Sequence, residues 1–207
     1  GFSDDKFLLP NLITNKHIVE NQSLIDVNGQ IQMFTPIAKS MTEVRHEQKM
    51  TEDKRCEKAI ELAKGKTSVY WCNTNNESYI LKTNDKDAVE IIGSKSIDRK
   101  EEILLAFADG EIKRIVTKAK ITGMGLNWQH CNHSVFFPTW SYEQYYQAIR
   151  RFWRFGQHSD VTIDLVISDG QTRVMDALQQ KTKKAIELYE SLTKNVNRSF
   201  ENKLKGF

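Results

Sequence analysis

No apolar run in this sequence approaches the ~20 residues needed to span a bilayer, and no signal peptide opens the chain. These absences predict a cytoplasmic protein with no membrane partner. Cysteine is scarce. Cys56, Cys72 and Cys131 are odd in number and far apart, which argues against a disulfide framework and against a paired zinc motif. His130, Cys131 and His133 crowd into HCNH, but with no second cluster they read as loop or core residues, and no metal site is expected. Net charge is only +3, too small to argue for a nucleic-acid partner by itself. No internal repeat or low-complexity segment is present.

One local absence is informative. No Asp or Glu lies between Glu143 and Asp160, and inside that gap QAIRRFWRFGQ (147–157) sets three arginines among bulky aromatics. At about 100° per residue, Gln147, Arg150, Arg151 and Arg154 share roughly one quadrant of a helix, with Tyr145, Ala148, Ile149 and Phe152 opposite. This predicts a buried face and a face of guanidinium groups that must be paired elsewhere.

What is there is a 207-residue chain, 39% hydrophobic and 28% charged, the composition of a soluble globular domain with appendages. Residues 1–33 show no sustained helical period and read as an N-terminal arm with one or two short strands. Thr35 followed by Pro36 predicts a helix running toward Met50. Thr51 begins another, with the apolar stripe Cys56, Ala59, Ile60 and Ala63 and an end at Gly65, so residues 34–66 form a helical segment.

From residue 67 to 170 short apolar runs alternate with helical segments. SVYWC (68–72), AVEII (88–92), RIVT (114–117), SVFF (134–137) and VTIDLVI (161–167) read as strands. NNESYILKTN, DRKEEILLAFADG and the arginine segment read as helices between them. The alternation predicts an α/β fold with a parallel sheet covered on both faces. In such sheets ligands gather at the carboxyl ends of the strands. A long C-terminal helix is expected within 171–207, starting near Thr172, with Val174, Leu178, Ala185, Leu188 and Leu192 on one stripe.

The loop ITGMGLNWQHCN follows the RIVT strand, and Gly123 and Gly125 allow its backbone to approach a phosphate closely. A plain turn would use the same glycines, and Asn127 serves equally as a loop cap. Distance adds weight, because the arginine segment begins 22 residues after Gly125.

TGMGLNW together with PTWSYEQYYQAIRRFWRFGQ resembles motifs V and VI of superfamily 2 helicases, specifically the Swi/Snf-like ATPases. Trp140 precedes Gln147 by seven residues, as in that family, and Gln147, Ala148, Arg151, Arg154, Gly156 and Gln157 all fit its pattern. GSKSIDRKEEILLAFADGE resembles a further segment of the family, with Lys100 in its basic position and Phe107 closing it, and VYWCNTNNES resembles motif IV. GFSDD, the Leu9–Pro10 pair and RRFWRFGQ resemble the phage or prophage branch.

The resemblance implies a RecA-like lobe at 67–170 in a two-lobed motor driven by ATP with Mg2+. It assigns Arg154 as the arginine finger, Arg151 as a second phosphate contact and Gln147 as a polar positioner. It places Gly123, Gly125 and Asn127 at the nucleotide, and implies duplex DNA as partner through backbone contacts. Ser94 and Lys95 are candidates for those contacts, with an N-cap and a surface lysine as the plain alternatives. Where the family has a backbone-contacting hydroxyl this chain has KAKI (118–121), which leaves Thr117 or Thr122 to supply it. The phosphate loop G-x-x-x-x-G-K-[ST] of the first lobe is nowhere in the sequence. The resemblance therefore implies the second lobe, with ATP and Mg2+ held mainly by an N-terminal lobe outside this chain, which opens on Gly1 rather than Met. The competing reading is a stand-alone module that binds nucleic acid or protein without hydrolysis.

Overall fold

The structure, a computed structural model, describes residues 9–20, 41–121, 128–139 and 141–172, together with residues 176, 180, 183, 184 and 187. The expected helix start at Thr35–Pro36, the glycine loop from Thr122 to Asn127, Trp140 and all five residues of the C-terminal stripe lie outside the described residues.

Among the described residues six strands form one parallel sheet: β1 (Leu12–Val19), β2 (Ser68–Trp71), β3 (Ala88–Glu90), β4 (Arg114–Thr117), β5 (His133–Phe136) and β6 (Val161–Ser168). Their order is β1-β6-β5-β2-β4-β3, and every neighbouring pair is parallel. The helices are α1 (Met41–Met50), α2 (Glu52–Ala63), α3 (Asn75–Asn84), α4 (Ile97–Ala108) and α5 (Tyr142–Ile149), and a short 3-10 turn follows β6 at Asp169–Gln171.

Apolar runs without polar alternation are what a sheet covered on both faces requires. Successive side chains then enter opposite core layers. Val69, Trp71, Ile115, Phe136, Ile163, Leu165 and Ile167 pack into one, with Ile103, Leu104 and Phe107 of α4 and Tyr145, Ala148 and Ile149 of α5. Tyr70, Val116, Val135 and Val166 enter the other, against Cys56, Ala59 and Ala63 of α2 and Leu81 of α3. All three cysteines are buried with free thiols.

Helix ends follow local chemistry. Thr74 and Glu77 close a capping box at the start of α3. Gly65 and Gly110 follow α2 and α4 in the left-handed conformation, with φ of 75° and 79°. Thr51 precedes α2 but does not cap it: its hydroxyl donates back to Glu47 O at 2.8 Å. Four strands depart by one or two residues from their expected limits, β2 ending at Trp71 and β6 at Ser168 by one residue each. β5 starts at His133, which pairs with both Ser68 and Thr162, and β3 stops at Glu90 although Ile91 N still donates to Val116 O.

The expected arm contributes a full edge strand. β1 pairs with β6 along eight residues from Leu12↔Val161 to Val19↔Ser168. Side chains reinforce the pairing: Asn15 Nδ2 and His17 Nε2 lie 2.9 and 3.0 Å from Asp164 Oδ1, and His133 Nε2 lies 2.8 Å from Asp164 Oδ2. Burial pushes the Asp164 carboxyl up, but hydrogen bonds from His133, Asn15 and His17 outweigh it and hold the group well below the usual carboxylate range. Ser68 Oγ, 2.7 Å from His133 Nδ1, completes a Ser–His–Asp chain. Ser68 is wholly buried, so no substrate reaches its hydroxyl and the chain serves as a polar staple across four strands.

Candidate functional site: the carboxyl edge of the sheet and the arginine segment

Parallel pairing places the carboxyl ends of the strands along one edge. At that edge, between the ends of β2, β4 and β5, lies a cleft of about 930 Å³. The loop after β2 contributes Asn73, Thr74 and Asn76, the turn after β4 contributes Lys118 and Lys120, and the segment after β5 contributes Thr139 and Ser141. Its fourth side is α1, through Arg45, Gln48 and Lys49. Four cations thus line the cleft. Its one acid, Glu52, accepts from Thr74 Oγ1 at 2.6 Å and from Asn76 Nδ2 at 2.5 Å.

Thr117, the last residue of β4, is fully buried and its hydroxyl donates inward to Ile91 O at 3.4 Å. It does not reach the cleft, which leaves Thr122, outside the described residues, as the candidate hydroxyl. Lys118 and Lys120 occupy the edge instead, with Lys118 Nζ donating to Asn75 Oδ1 at 2.6 Å. Ser94 is exposed and Lys95 half-buried in the turn after β3. The N-cap of α4 is Ser96 rather than Ser94: Ser96 Oγ accepts from Arg99 N at 3.3 Å. Lys100 Nζ donates to Gly93 O at 2.8 Å, so this basic residue holds the turn that presents Ser94 and Lys95.

The arginine segment departs from the expected helix. Tyr145, Ala148, Ile149 and Phe152 are buried as the periodicity requires, but α5 ends at Ile149 and residues 150–156 form successive turns. The cause lies in the main chain. Arg151 O accepts from Trp128 N at 3.1 Å, and Phe152 N and Trp153 N both donate to Ile149 O. Arg151 N and Phe152 N turn to the i−3 carbonyls of Ala148 and Ile149, so the regular i−4 ladder stops there. Gly156, with φ of 86°, then reverses the chain.

Arg151 and Arg154 are half-buried in these turns, and burial draws the Arg151 pKa down. Gln147 is exposed on the last turn of α5 and donates to Glu143 Oε1 at 3.0 Å. Arg150 stacks over Tyr146 and Trp153, at 5.9 and 5.6 Å from the ring centroids. Trp128 and Phe152 are buried packing residues, and Trp153 donates Nε1–H to Pro10 O at 2.9 Å.

Gln157 joins the two motif segments. It is buried, and its Nε2 donates to Gln129 O at 3.0 Å and Cys131 O at 3.1 Å. Gln129 Nε2 in turn donates to Phe155 O at 2.6 Å. With the Trp128–Arg151 bond, the stretch leaving the glycine loop and the arginine turns are stitched into one unit. Gly156 sits in the seam: a Cβ there would lie 2.7 Å from Gln129 Nε2. Gly156→Ala should therefore destabilise the chain by about 1–3 kcal/mol, from positive φ and collision together. Adding Gln129→Ala relieves the collision but also removes the bond to Phe155 O, so thermal melts of Gly156→Ala, Gln129→Ala and the double variant separate the two causes through their coupling.

The residues of HCNH each have a separate employment. His130 packs edge-on against Phe107 at 4.7 Å, and burial lowers its pKa. Cys131 points at Thr67 O and His133 O, and burial pushes its thiol up to about 12. His133 joins the Asp164 staple. Among the described residues no group of three His, Cys, Asp or Glu side chains could hold a metal ion, and no helix is long and apolar enough to cross a membrane.

Sequence reasoning passed over the cations of α1. Arg45, Gln48 and Lys49 stand at i, i+3 and i+4, so their common face was legible. What that face looks at was not.

Comparison with known proteins agrees with this arrangement. The C-terminal part of the Fun30 ATPase domain superposes with a TM-score of 0.51 at 18% identity, covering 67% of this chain and 48% of that one. A DEAD box protein from the hyperthermophile Methanococcus jannaschii gives a TM-score of 0.54 at 18% identity, over 64% of this chain and 38% of that one. The C-terminal domain of the DEAD-box protein Dbp5 gives 0.52 at 17% identity, over 64% and 78%. The chain thus spans less than half the length of the first two. Likeness at such identities is one of fold, and that fold is the RecA-like parallel sheet of helicase C-terminal domains. No curated protein matches the chain in sequence. Residues 51–156, just over half of the chain and the stretch that holds β2 to β5, α5 and the arginine turns, match the helicase conserved C-terminal domain, and the chain belongs to that family.

Proposed function

We propose that this chain is the second motor lobe of a two-lobed, ATP-driven translocase of the Swi/Snf-like class, from its phage or prophage branch, that tracks the backbone of duplex DNA. In this reading Arg154 is the arginine finger and Arg151 a second phosphate contact, while Gln147 positions polar groups at the lobe boundary. The loop bearing Gly123, Gly125 and Asn127 approaches the nucleotide, and Thr122, Ser94, Lys95, Lys118 and Lys120 lie against DNA phosphates. The supporting observation is the seam described above. Hydrogen bonds from Trp128, Gln129 and Gln157 hold the exit of the glycine loop against the arginine turns, so two segments apart in sequence act at one place. Positioning and charge neutralisation are most of what phosphoryl transfer asks of a protein, and a planar guanidinium serves both.

Magnesium belongs mainly to the other lobe in this reading, because the phosphate loop G-x-x-x-x-G-K-[ST] is not in this sequence. When bound there, it would neutralise charge on the phosphates. The residues of this chain complete the site by bringing guanidinium groups to the phosphates when the lobes close.

The test is ATP hydrolysis with and without duplex DNA. This chain alone should show no turnover, and its parent protein should show DNA-stimulated turnover. Hydrolysis by the chain alone, once contaminating ATPases are excluded, would contradict the proposal. A parent protein without a phosphate loop and acidic box would favour the non-catalytic module.

A further inference from the structure

The cleft at the carboxyl edge has a wall that the family match does not include. The match begins at Thr51, whereas α1 ends at Met50. Yet α1 supplies two of the four cations lining the cleft, Arg45 and Lys49, with Gln48 between them. These three share one face of the helix, and that face is turned to the cleft while Glu47 is buried behind it.

The helix is anchored at its end. Arg55, fully buried in α2, donates from Nη2 to Gln48 O at 2.7 Å and from Nε to Thr51 Oγ1 at 3.1 Å. Thr51 Oγ1 donates to Glu47 O at 2.8 Å, so the last turn of α1 hangs on one buried guanidinium. Arg55 itself is held by the buried Glu77 carboxylate at 2.7 Å and by the Phe137 ring at 4.8 Å. Glu77 also accepts from the backbone N–H groups of Asn73 and Thr74, the loop that forms the adjoining wall. One buried network therefore sets the position of α1 relative to the loop after β2.

Charge decides what this wall is for. The same cleft is lined by Lys118 and Lys120, and its one lining acid, Glu52, is engaged with Thr74 and Asn76. Among the described residues neither Arg45 nor Lys49 is paired with an acid. Cations from α1 and from the turn after β4, gathered in one cleft with amide and hydroxyl groups from the loops after β2 and β5, suit a chain of evenly spaced anions. We infer that α1 is a phosphodiester clamp, in which Arg45, Gln48 and Lys49 grip a nucleic-acid backbone together with Lys118 and Lys120. This rests on the proposed nucleic-acid role of the lobe and adds an element outside its family domain.

Binding of this chain to a fluorescent duplex of ~20 base pairs, followed by anisotropy from about 50 to about 200 mM salt, tests the clamp. Duplex DNA and duplex RNA of the same length show which source of backbone it takes. Arg45→Gln with Lys49→Gln keeps the side chains long and helix-compatible while removing two charges, and melting curves confirm that the variant folds. Affinity should fall roughly ten-fold, and the slope of log K against log salt should become shallower by about 1.8, near 0.9 per lost phosphate contact. Lys118→Gln with Lys120→Gln should do the same from the turn after β4. Lys64→Gln with Lys113→Gln changes net charge equally but at the amino edge of the sheet, and should leave the slope unchanged.

If the Lys118/Lys120 variant loses affinity while the Arg45/Lys49 variant keeps both affinity and slope, the clamp is wrong and the nucleic-acid reading stands. If the Lys64/Lys113 variant loses as much as the Arg45/Lys49 variant, overall charge is responsible and the clamp is wrong. If the unaltered chain binds neither duplex even at the lowest salt, the nucleic-acid reading fails and the clamp with it.

Discussion

Arg154→Ala in the two-lobed parent protein should lower kcat by on the order of 10³- to 10⁵-fold, the range an arginine finger supplies in phosphoryl transfer. Stability should change little, within about 1 kcal/mol. The core beneath the segment is made by Tyr145, Ala148, Ile149 and Phe152, none of which the substitution touches. The backbone bond from Gln157 N to Arg154 O is also independent of the side chain. The guanidinium is needed where charge builds on the transferring phosphoryl group, so the loss should fall on kcat more than on KM. Arg154→Lys should rescue poorly, because an ammonium keeps the charge and loses the planar fork. Arg150→Ala is the internal control. Its guanidinium is spent on the Tyr146 and Trp153 rings, so its removal should cost roughly 0.5–1 kcal/mol of stability and little turnover. Equal kcat for Arg154→Ala and the unaltered protein, at saturating ATP and DNA, would remove Arg154 from the mechanism.

Arg114→Ala should destabilise the lobe by about 3–5 kcal/mol, the usual result of stranding one partner of a buried ion pair. Arg114 opens β4 and holds Asp85 through both Nε and Nη2, the latter also reaching Asp87 Oδ2 at 2.7 Å. Tyr70 OH donates to the same Asp85 carboxylate at 2.6 Å, so β2, β4 and the end of α3 meet at one buried charge. At about 2–4 °C per kcal/mol for a chain of this size, the melting temperature should drop by roughly 6–20 °C.

The pH dependence carries a sign. Burial pushes the Asp85 carboxyl up, but hydrogen bonds from Arg114 and Tyr70 more than offset this and hold it below its ordinary value. A carboxylate with a depressed folded pKa stabilises fully above its unfolded value of about 4, and that contribution is lost as pH falls through the folded value. Without Arg114 its hydrogen bond and charge are lost while burial remains, so Asp85 shifts up from where the unaltered protein holds it and its carboxylate is relieved by acid at a higher pH. The gap in melting temperature between the two proteins should therefore narrow from pH ~7 toward pH ~4. A gap that stays constant across that range would show that Asp85 is not the charge Arg114 serves.

Much of the fold was legible because its signals are local. RIVT forms a strand at the expected residues and SVYWC one residue shorter than expected, at Ser68–Trp71, because short buried runs without alternation suit a two-faced sheet. NNESYILKTN is α3 from end to end, since Thr74 and Glu77 announce its capping box three residues apart. The apolar side of the arginine segment was equally plain, because burial of Tyr145, Ala148, Ile149 and Phe152 follows from spacing alone. The family motifs belong here too, since residue types at fixed intervals carry them whatever surrounds them.

The sequence by itself thus determined the class of sheet, the identity of its central strands, the buried face of the arginine segment and the family. Tertiary structure decided where the arginine turns are held, because the bond to Arg151 O comes from Trp128, 23 residues earlier in the chain. It decided that the arm carries a strand of eight residues. LITNKHIV exposes Ile13 and Ile18 and shows no clean apolar pattern, and its place is held by Asn15 and His17 on Asp164, 149 and 147 residues away. It turned the Thr117 hydroxyl inward to Ile91 O and left the lysines of KAKI at the cleft. It also aimed Arg45 and Lys49, whose common face was readable but whose direction depends on Arg55 and Glu77. Periodicity reports which side of an element is apolar. What stands opposite that side is set by partners distant in the chain, and only the folded molecule brings them together.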